Sequence, residues 1–378
     1  MTVYVTYNDQ PSGVYASQVC DVVSFLNREG ICKTKLVAFV SIRGYFDSRR
    51  KIKSLSPSAW VIPMVPKMKN WQWNTPLLWL VLLLLRPGKV MARGIFALHL
   101  AASARKFLPR YKLILDARGA YFAEFEEYRI VDDDTFIGKV RELEKQALLK
   151  SDAQLAVSNA LVHYWKEHFG FEATNAQVIP CTLSSEHGSA LMPFGQREKL
   201  RKDAGLTSEN ICLVYSGSAA GWQSLNVLMQ SMADWLHNQP LLHIWLLTPM
   251  DTLEGTPLAK FKDRVQLRWV KPHEVSDVLA LADYGLLLRE PSITNQVASP
   301  TKFAEYLSAG LGVLISPKIG DFTAFVGEKG CGFEVYEHVL PGEVLHPVME
   351  TDRVKHHSLA TNHFTKRAFQ ASYASLLE

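Results

Sequence analysis

Short apolar runs alternate with longer amphipathic stretches along this whole chain, and this alternation limits the fold more than any other feature. It is typical of βα units that stack on a parallel sheet, so we predict an α/β fold. The predicted strands are 2–7, 32–40, 58–62, 88–92, 111–116, 153–157, 176–180, 211–216, 242–248, 265–270, 284–289 and 311–316. The predicted helices include 14–29, 72–85, 94–108, 138–150 and 158–169.

A polar, glycine-bearing stretch, SSEHGSALMPFGQREKLRKDAGLTSEN, separates two such series of strands. With 378 residues the chain is too long for one ordinary core, since domains average about 150 residues. We therefore predict two doubly wound, Rossmann-like domains, 1–185 and 186–357, with a C-terminal helix at about 358–378 that packs back onto the first domain. Two such domains facing each other create a cleft at the carboxyl ends of both sheets, where ligands bind.

Composition and missing motifs exclude several classes of function. The net charge of +4 is mild and no RNA-binding or helix-turn-helix signature occurs, so nucleic acid is not an expected partner. No G-x-x-x-x-G-K-[ST], G-x-G-x-x-G or G-x-S-x-G loop is present, and the twelve histidines show no zinc-binding spacing. Five cysteines without a C-x-x-C pair fit a reducing compartment, and the strand-like start MTVYVTYND predicts a cytoplasmic protein.

The segment TPLLWLVLLLLRPG, residues 75–88, complicates this picture. Its apolar run, Leu77–Leu85, is far shorter than the roughly 20 residues that span a bilayer. A buried helix against a sheet is the favoured interpretation. The alternative is contact with a membrane surface through 71–89, at the inner face of the plasma membrane, next to basic and aromatic residues that include Lys67, Lys69, Trp71, Trp73, Arg86 and Lys89.

A lysine lies in the first turn of the helix predicted from the block SPTKFAEYLSAG, residues 299–310. Ser299 is a good N-cap, Pro300 suits the first helical position, and Gly310 ends the helix. A cation costs a few tenths of a kcal/mol at this end of a helix unless an anion compensates, and the N–H groups of the same turn attract anions. Lys302 therefore indicates either an anion site or a solvated side chain that extends past the helix end.

Three loops at predicted strand ends carry further candidate residues. The loop 8–19 contains Gly13, and 214–224 contains Gly217, Ser218 and Gly221, whose small side chains permit close approach by a ligand. In 113–129, two charged residues follow a strand directly and three carboxylates come after them. These five residues are Asp116, Arg118, Glu124, Glu126 and Glu127. A salt-bridged loop is the alternative to a functional site there.

The blocks KPHEVSDVLALADYG (271–285), ADYGLLLRE (282–290) and SPTKFAEYLSAG together resemble the donor-binding half of GT-B glycosyltransferases of family 4. DARGAYFAEFEE (116–127) and PSGVYASQV (11–19) resemble the acceptor-side half of that family's bacterial surface-polysaccharide enzymes. The resemblance implies a retaining transfer from a nucleotide diphosphate sugar, bound mainly by the second domain, to a glycan or lipid-linked glycan acceptor held by the first. It implies no cofactor and no metal.

The resemblance also assigns roles to donor-side residues. The family's diphosphate-binding helix N-terminus matches Ser299, Pro300, Thr301 and Lys302, and the glutamate that usually bonds the ribose matches Glu305. Many relatives have another glutamate eight places earlier, where this chain has Val297, so backbone groups near Ser299 would hold the sugar. Relatives also carry an arginine and a lysine where this chain has Trp222 and Gln223. Arg289 is then a second source of positive charge beside Lys302.

On the acceptor side, Asp116 and Arg118 are the candidates for groups at the reacting centre. Asp116 could orient or deprotonate an acceptor hydroxyl, with Arg118 keeping it ionised or contacting phosphate. Arg93, at the end of the strand KVMAR, is a third candidate, and Glu124 and Glu127 complete the acceptor-side set. A nucleotide-sugar epimerase of the same fold and a non-catalytic relative that binds nucleotide sugars are the alternative functions.

Overall fold

The computed structural model describes residues 1–65, 68–108, 110–185, 190–217, 225–337, 339–340 and 345–378. The chain forms two compact units. Unit 1 comprises residues 1–185, 297–299 and 366–378, and unit 2 comprises 186–296 and 300–365. Three residues of unit 1 thus interrupt the sequence of unit 2.

Unit 1 contains a seven-stranded parallel sheet in the order β3-β2-β1-β4-β5-β6-β7. The strands are β1 (Thr2–Tyr7), β2 (Thr34–Ser41), β3 (Trp60–Met64), β4 (Lys89–Arg93), β5 (Lys112–Ala117), β6 (Ala153–Ala156) and β7 (Ala176–Val178). Its central strands β1, β4 and β5 are buried along most of their length, as expected for a sheet covered by helices on both faces.

The helices of unit 1 lie between these strands and at the end of the chain. They are α1 (Gly13–Tyr15), α2 (Asp21–Arg28), α3 (Tyr45–Leu55), α4 (Thr75–Leu85), α5 (Gly94–Ala104), α6 (Tyr121–Glu127), α7 (Asp134–Lys150) and α8 (Asn159–Phe169), with α16 (Gln370–Leu376) at the C-terminus. A π-helical turn, Ala16–Cys20, joins α1 to α2 within the predicted helix 14–29. Phe25 of α2 packs on Tyr373 of α16 in the core of the unit.

Unit 2 contains a six-stranded parallel sheet in the order β10-β9-β8-β11-β12-β13. The strands are β8 (Ile211–Ser216), β9 (Leu242–Leu247), β10 (Val265–Leu267), β11 (Tyr284–Leu287), β12 (Gly312–Ile315) and β13 (Gly332–Glu334). The helices are α9 (Phe194–Asp203), α10 (Leu225–Asn238), α11 (Val275–Leu279), α12 (Ile293–Gln296), α13 (Thr301–Ser308), α14 (Phe322–Lys329) and α15 (Glu350–His363). Each of the twelve predicted strands overlaps an observed strand, whereas β13 was not predicted.

The predicted C-terminal helix at 358–378 is wrong in its extent. The chain forms α15 in unit 2, leaves the helix after His363, and forms α16 in unit 1. Phe364 packs edge-on against Phe303, with ring centroids 5.4 Å apart. Two residues later, Lys366 donates to the Leu183 carbonyl oxygen at 2.7 Å and pairs with Asp21 at 2.7 Å. The contact of Phe364 lies in unit 2 and the contacts of Lys366 lie in unit 1. Both residues belong to the segment between α15 and α16, where the predicted helix is interrupted.

Contrary to the favoured interpretation of the sequence, the apolar helix α4 is only partly buried, and contact with a membrane surface stays a prediction. Leu78, Val81 and Leu82 are buried, and the helix packs on α5. Leu80 and Leu84, on the other side, are exposed. Within the described residues, no helix combines the length and the apolar character needed to cross a membrane.

Candidate functional site

In both sheets the strand order reverses at one place, between β1 and β4 in unit 1 and between β8 and β11 in unit 2. Helices leave such a switch point toward opposite faces, so the loops at its carboxyl edge separate and leave a crevice that binds ligands in α/β folds. The candidate residues of each unit are described at this edge.

In unit 1, Asp116 and Arg93 are paired in register on β5 and β4. The Asp116 carboxylate is fully buried. It accepts a hydrogen bond from the Tyr4 hydroxyl, which comes from β1. Arg118 contacts both of its oxygens, with Nε 2.7 Å from Oδ1 and Nη2 3.1 Å from Oδ2, and Arg93 Nη1 lies 3.6 Å from Oδ2. We call these four residues the Asp116 cluster.

Asp9, which sequence reasoning did not single out, continues the Asp116 cluster toward solvent. Its Oδ2 lies 3.4 Å from Arg93 Nε, and its side chain remains 35% exposed. Burial raises the pKa of the Asp9 carboxyl above its usual value, Arg93 opposes this shift, and the Asp116 charge adds to it. Asn8 turns the chain directly after β1 with a φ of 59°, a conformation that asparagine tolerates. A polar Asn-Asp pair at the end of the strand next to a switch point is the signal that could have found Asp9.

A glycine and a glutamate position the neighbouring helices. Gly94 follows Arg93 with a φ of +80°, and a Cβ there would lie 2.7 Å from the Tyr121 hydroxyl oxygen. Glu144 of α7 is buried and accepts hydrogen bonds from the N–H groups of Tyr121 and Phe122 at 3.1 and 2.7 Å, at the start of α6. Burial raises the Glu144 pKa to about 8, against the effect of these two hydrogen bonds. The left-handed conformation of Gly94 thus turns the chain sharply after Arg93, and Glu144 holds the start of α6.

The remaining candidates of unit 1 lie in different surroundings. Glu124 of α6 is half-buried. Its pKa is raised by burial and by the charge on Asp9, so Glu124 lies close enough to Asp9 for their charges to interact. Glu127 is exposed at the end of the same helix. Gly13 is exposed, and a Cβ there would meet no heavy atom within 4 Å. The space around Gly13 therefore does not require a glycine.

In unit 2, the helix that carries Lys302 begins at a different residue from the one predicted. Pro300 is the N-cap of α13, Thr301 is its first residue, and proline offers no side-chain acceptor for the helix N–H groups. The predicted N-cap, Ser299, belongs to unit 1, where its hydroxyl accepts a hydrogen bond from the Cys181 N–H at 2.8 Å. Ser299 was therefore assigned the wrong structural role.

Val297, the predicted departure from the family motif, is buried in unit 1. The Ser158 hydroxyl donates to its carbonyl oxygen at 2.7 Å and also caps α8 by accepting from the Leu161 N–H at 3.0 Å. A valine suits this enclosed position, where an ionised glutamate would lose its hydration. The segment 297–299 thus has two specific hydrogen bonds within unit 1.

Lys302 is half-buried in the first turn of α13, with Nζ 5.0 Å from the centroid of the Tyr215 ring of β8. Burial and the nearby Arg289 charge, opposed by Glu305, together lower the pKa of its ammonium group to about 7. Arg289 follows β11, and its Nη1 donates to Asn295 Oδ1 at 3.0 Å. Two cations and one carboxylate therefore meet where the helix dipole is also positive, which favours an anion.

A tyrosine and a glycine hold α13 at the switch point. The Tyr306 hydroxyl accepts from the Ser216 N–H at 3.1 Å and donates to the Leu286 carbonyl oxygen at 3.3 Å, which joins the ends of β8 and β11. A Cβ on Gly285 would lie 2.2 Å from the Tyr306 ring, so only glycine fits in β11 there. A glycine inside an apolar strand is the sequence signal for such a close approach.

Of the predicted loop after β8, the structure describes only the first residue. The Gly217 N–H donates to the Leu247 carbonyl oxygen at 3.0 Å. Ser218, Gly221, Trp222 and Gln223 lie outside the described residues.

No protein-family model matches the chain, and no curated protein matches its sequence. Solved structures do match it in fold. A glycosyltransferase from Rickettsia africae is 14% identical with a TM-score of 0.69, covering 100% of this chain and 98% of the other. HepE from Anabaena, solved in complex with UDP-glucose, is 13% identical with a TM-score of 0.68, covering 100% and 99%.

A third match has a different activity assigned to it. It is a protein from Listeria monocytogenes assigned as a UDP-N-acetylglucosamine 2-epimerase, 11% identical with a TM-score of 0.60, covering 98% of this chain and 94% of the other. At such low identities these likenesses show the fold alone. The predicted α/β class with GT-B architecture is confirmed as two parallel-sheet units.

Proposed function

We propose that this protein is a retaining glycosyltransferase that moves a sugar from a nucleotide diphosphate sugar to a glycan or lipid-linked glycan acceptor. We place the reaction in the cytoplasm, in the synthesis of a bacterial surface polysaccharide. The complex of HepE with UDP-glucose supports a nucleotide sugar as the donor class. The observation that carries the proposal is the cationic first turn of α13 at the switch point of unit 2.

The donor half of the proposal rests on the charge at that turn. When the bond between the sugar and the diphosphate breaks, negative charge grows on the leaving phosphate oxygens. Positive groups already held in place stabilise this charge best, because they need no reorganisation during the reaction. We assign this role to Lys302 and Arg289, with Thr301 at the first helical position and Glu305 bonding the ribose. Gly217 and Ser218 stay in the proposed donor set.

The acceptor half rests on the cluster in unit 1. Asp116 is enclosed by Tyr4 and two arginines, so we infer that it positions Arg93 and Arg118 rather than acting as the base itself. Asp9 is the carboxylate with an exposed surface. We propose that it accepts the proton of the acceptor hydroxyl as that oxygen bonds to the sugar on the same face from which the diphosphate departs, which retains the configuration. Glu124 and Glu127 remain predicted acceptor-side contacts, Gly13 remains a predicted donor contact, and we assign no metal to the step.

An epimerase is the second candidate, supported by the likeness in fold to the Listeria protein. The two candidates differ in their need for an acceptor. An epimerase would change the configuration of a free nucleotide sugar without any acceptor, and proton NMR of UDP-N-acetylglucosamine incubated with the protein would detect this directly.

The first experiment measures UDP binding by calorimetry between pH 6.5 and 9. A bound diphosphate stabilises the charged form of Lys302, so affinity should fall about fivefold between pH 7 and 8, as the ammonium group of the free protein loses its proton near pH 7. The Lys302→Arg variant, which stays charged throughout, should bind UDP with little dependence on pH.

Lys302→Ala should lower sugar transfer by about 100-fold or more, because one positioned charge at the reacting phosphate is worth several kcal/mol. Lys260→Ala, which removes an exposed lysine of the same unit, is the matched control and should leave both binding and transfer unchanged. Equal UDP affinity and equal transfer in wild type and Lys302→Ala would refute the proposed donor site.

A further inference from the structure

The helix α4 carries apolar side chains on two opposite sides. Leu78, Val81 and Leu82 form the buried side. Leu77, Leu80 and Leu84 follow one another at spacings of three and four residues, so they lie along one face, and Trp73 lies in the turn just before the helix. These four side chains are 40% to 73% exposed. A helix that is apolar all round is normally enclosed, and this one is covered on one side only.

A second element enlarges this face. Trp79 Nε1 donates to the Phe107 carbonyl oxygen at 3.5 Å, which brings the end of the turn Arg105–Phe107 next to α4. The Phe107 side chain is 76% exposed, and Leu83 is exposed beside Leu84. We call Trp73, Leu77, Leu80, Leu83, Leu84 and Phe107 the α4 face. Contiguous exposed apolar surface of this kind marks a site of interaction.

The stretch of sequence that carries the α4 face has charged residues of one sign, although Lys69 and Arg105 pair with Asp133 and Asp152 from later in the chain. Residues 48–115, which include the whole face, contain no aspartate or glutamate. They contain thirteen lysines and arginines, at positions Arg49, Arg50, Lys51, Lys53, Lys67, Lys69, Arg86, Lys89, Arg93, Arg105, Lys106, Arg110 and Lys112. Since the whole chain has a net charge of only +4, the positive charge is concentrated in this segment.

Three of these cations lie close in the chain to residues of the α4 face. Arg86 is the C-cap of α4. In the chain, Lys106 directly precedes Phe107, and Arg110 follows Phe107 three residues later. All three side chains are exposed. Apolar side chains flanked by cations are the combination that binds the surface of a bilayer containing anionic lipids.

We propose that unit 1 docks on an anionic lipid bilayer through the α4 face, with α4 lying in the membrane surface and Arg86, Lys106 and Arg110 contacting the headgroups. The helix has eleven residues, which is about half of what a bilayer span needs. A second copy of this chain fits the face poorly, because a symmetric contact would bring two segments of the same strong positive charge together. This docking is independent of the proposed sugar transfer, since it needs neither donor nor acceptor.

The experiment is co-sedimentation of the full chain with sucrose-loaded vesicles, at low and at high salt. Vesicles of phosphatidylcholine with 30% phosphatidylglycerol should bind the protein, and vesicles of phosphatidylcholine alone should bind it about tenfold or more weakly. Raising the ionic strength should lower binding to the anionic vesicles, because salt screens exposed charges.

Two pairs of variants separate the apolar and the electrostatic contributions. Leu80→Glu with Leu84→Glu should reduce binding to anionic vesicles by about 100-fold, whereas Leu241→Glu with Val354→Glu, which alters similarly exposed apolar residues of unit 2, should not. Lys106→Glu with Arg110→Glu should reduce it by about tenfold, and Lys260→Glu with Lys271→Glu, the same charge change on unit 2, should have a much smaller effect.

Circular dichroism and thermal unfolding of each variant identify loss of folding. If Leu80→Glu with Leu84→Glu unfolds the protein, the charge variants and Trp73→Ser, at an exposed residue before the helix, test the same face. The proposal is overturned if wild type stays in the supernatant with anionic vesicles at low salt. It is equally overturned if both members of a variant pair bind alike, or if light scattering shows that the face joins two copies of the chain instead.

Discussion

Two clusters that each pair one buried aspartate with two arginines lie at opposite ends of the two sheets. The Asp116 cluster of unit 1 joins one buried aspartate to Arg93 and Arg118 at the carboxyl ends of β4 and β5. In unit 2, Asp283 precedes β11, at the amino end of the sheet, and pairs with Arg197 at 2.8 Å and Arg201 at 3.0 Å. We call these three residues of unit 2 the Asp283 cluster.

The two clusters differ in what surrounds them. Asp283 accepts two further hydrogen bonds, from the N–H groups of Cys212 and Val348, and both arginines also donate to backbone carbonyl oxygens. The Asp283 cluster is thus enclosed by the chain itself. The Asp116 cluster instead continues through Arg93 to Asp9, which is partly exposed. Because ligands bind at the carboxyl ends of parallel strands in α/β folds, we expect the same pairing to support stability at the amino end of one sheet and to serve the proposed function at the carboxyl end of the other.

The largest expected effect is on the Asp283 cluster. Asp283→Ala leaves two buried guanidinium groups without their carboxylate and should lower the free energy of unfolding by about 3–5 kcal/mol. Urea denaturation measures this. The exposed Asp203, at the end of α9, provides the control, and Asp203→Ala should change stability by less than about 0.5 kcal/mol. A loss below about 1 kcal/mol for Asp283→Ala would contradict the structural role of this cluster.

The next effect concerns activity. Asp9→Asn should lower sugar transfer by about 100-fold, because the amide cannot accept a proton, while stability stays within about 1 kcal/mol. The wild-type rate should fall as the pH drops through a pKa above the usual aspartate value, since burial raises the pKa of Asp9 and only the ionised form acts as a base. Asp9→Asn should flatten this limb of the pH profile. Asp263→Asn, at an exposed aspartate of unit 2, should leave rate and profile unchanged, and an unaltered profile in Asp9→Asn would exclude Asp9 as the base.

The smallest effect tests how the backbone aims Arg93. Gly94→Ala forces an L side chain into a left-handed conformation next to the Tyr121 hydroxyl group, which should cost about 2 kcal/mol of stability and reduce transfer. Gly13→Ala, in open space at the same edge of the sheet, should change stability by less than about 0.5 kcal/mol. Thermal unfolding of the two variants side by side measures the difference. Equal effects would mean that the turn after Arg93 is not constrained as described.

Much of the fold could be predicted from the sequence, because periodicity is a local property. The strands that carry Arg93 and Asp116 at their carboxyl ends appear close to their predicted positions, and parallel pairing then brings these residues together. Part of the candidate site could not be predicted. The Asn8-Asp9 pair shows only that a polar turn follows β1, and the contact of Asp9 with Arg93 depends on β1 and β4 being neighbours, although more than 80 residues separate them in the chain.

The sequence by itself determined that this chain forms two parallel α/β units and that its candidate charged residues follow strands or begin a helix. Only the tertiary structure decided which carboxylate is enclosed and which is accessible, that Ser299 and Val297 bond within unit 1, and that one side of α4 stays uncovered. The physical reason is that the spacing of apolar residues and the conformational preferences of turn residues depend on only a few neighbouring residues. Burial, by contrast, depends on which distant segments pack against a side chain, and burial determines the pKa and the availability of a charged group.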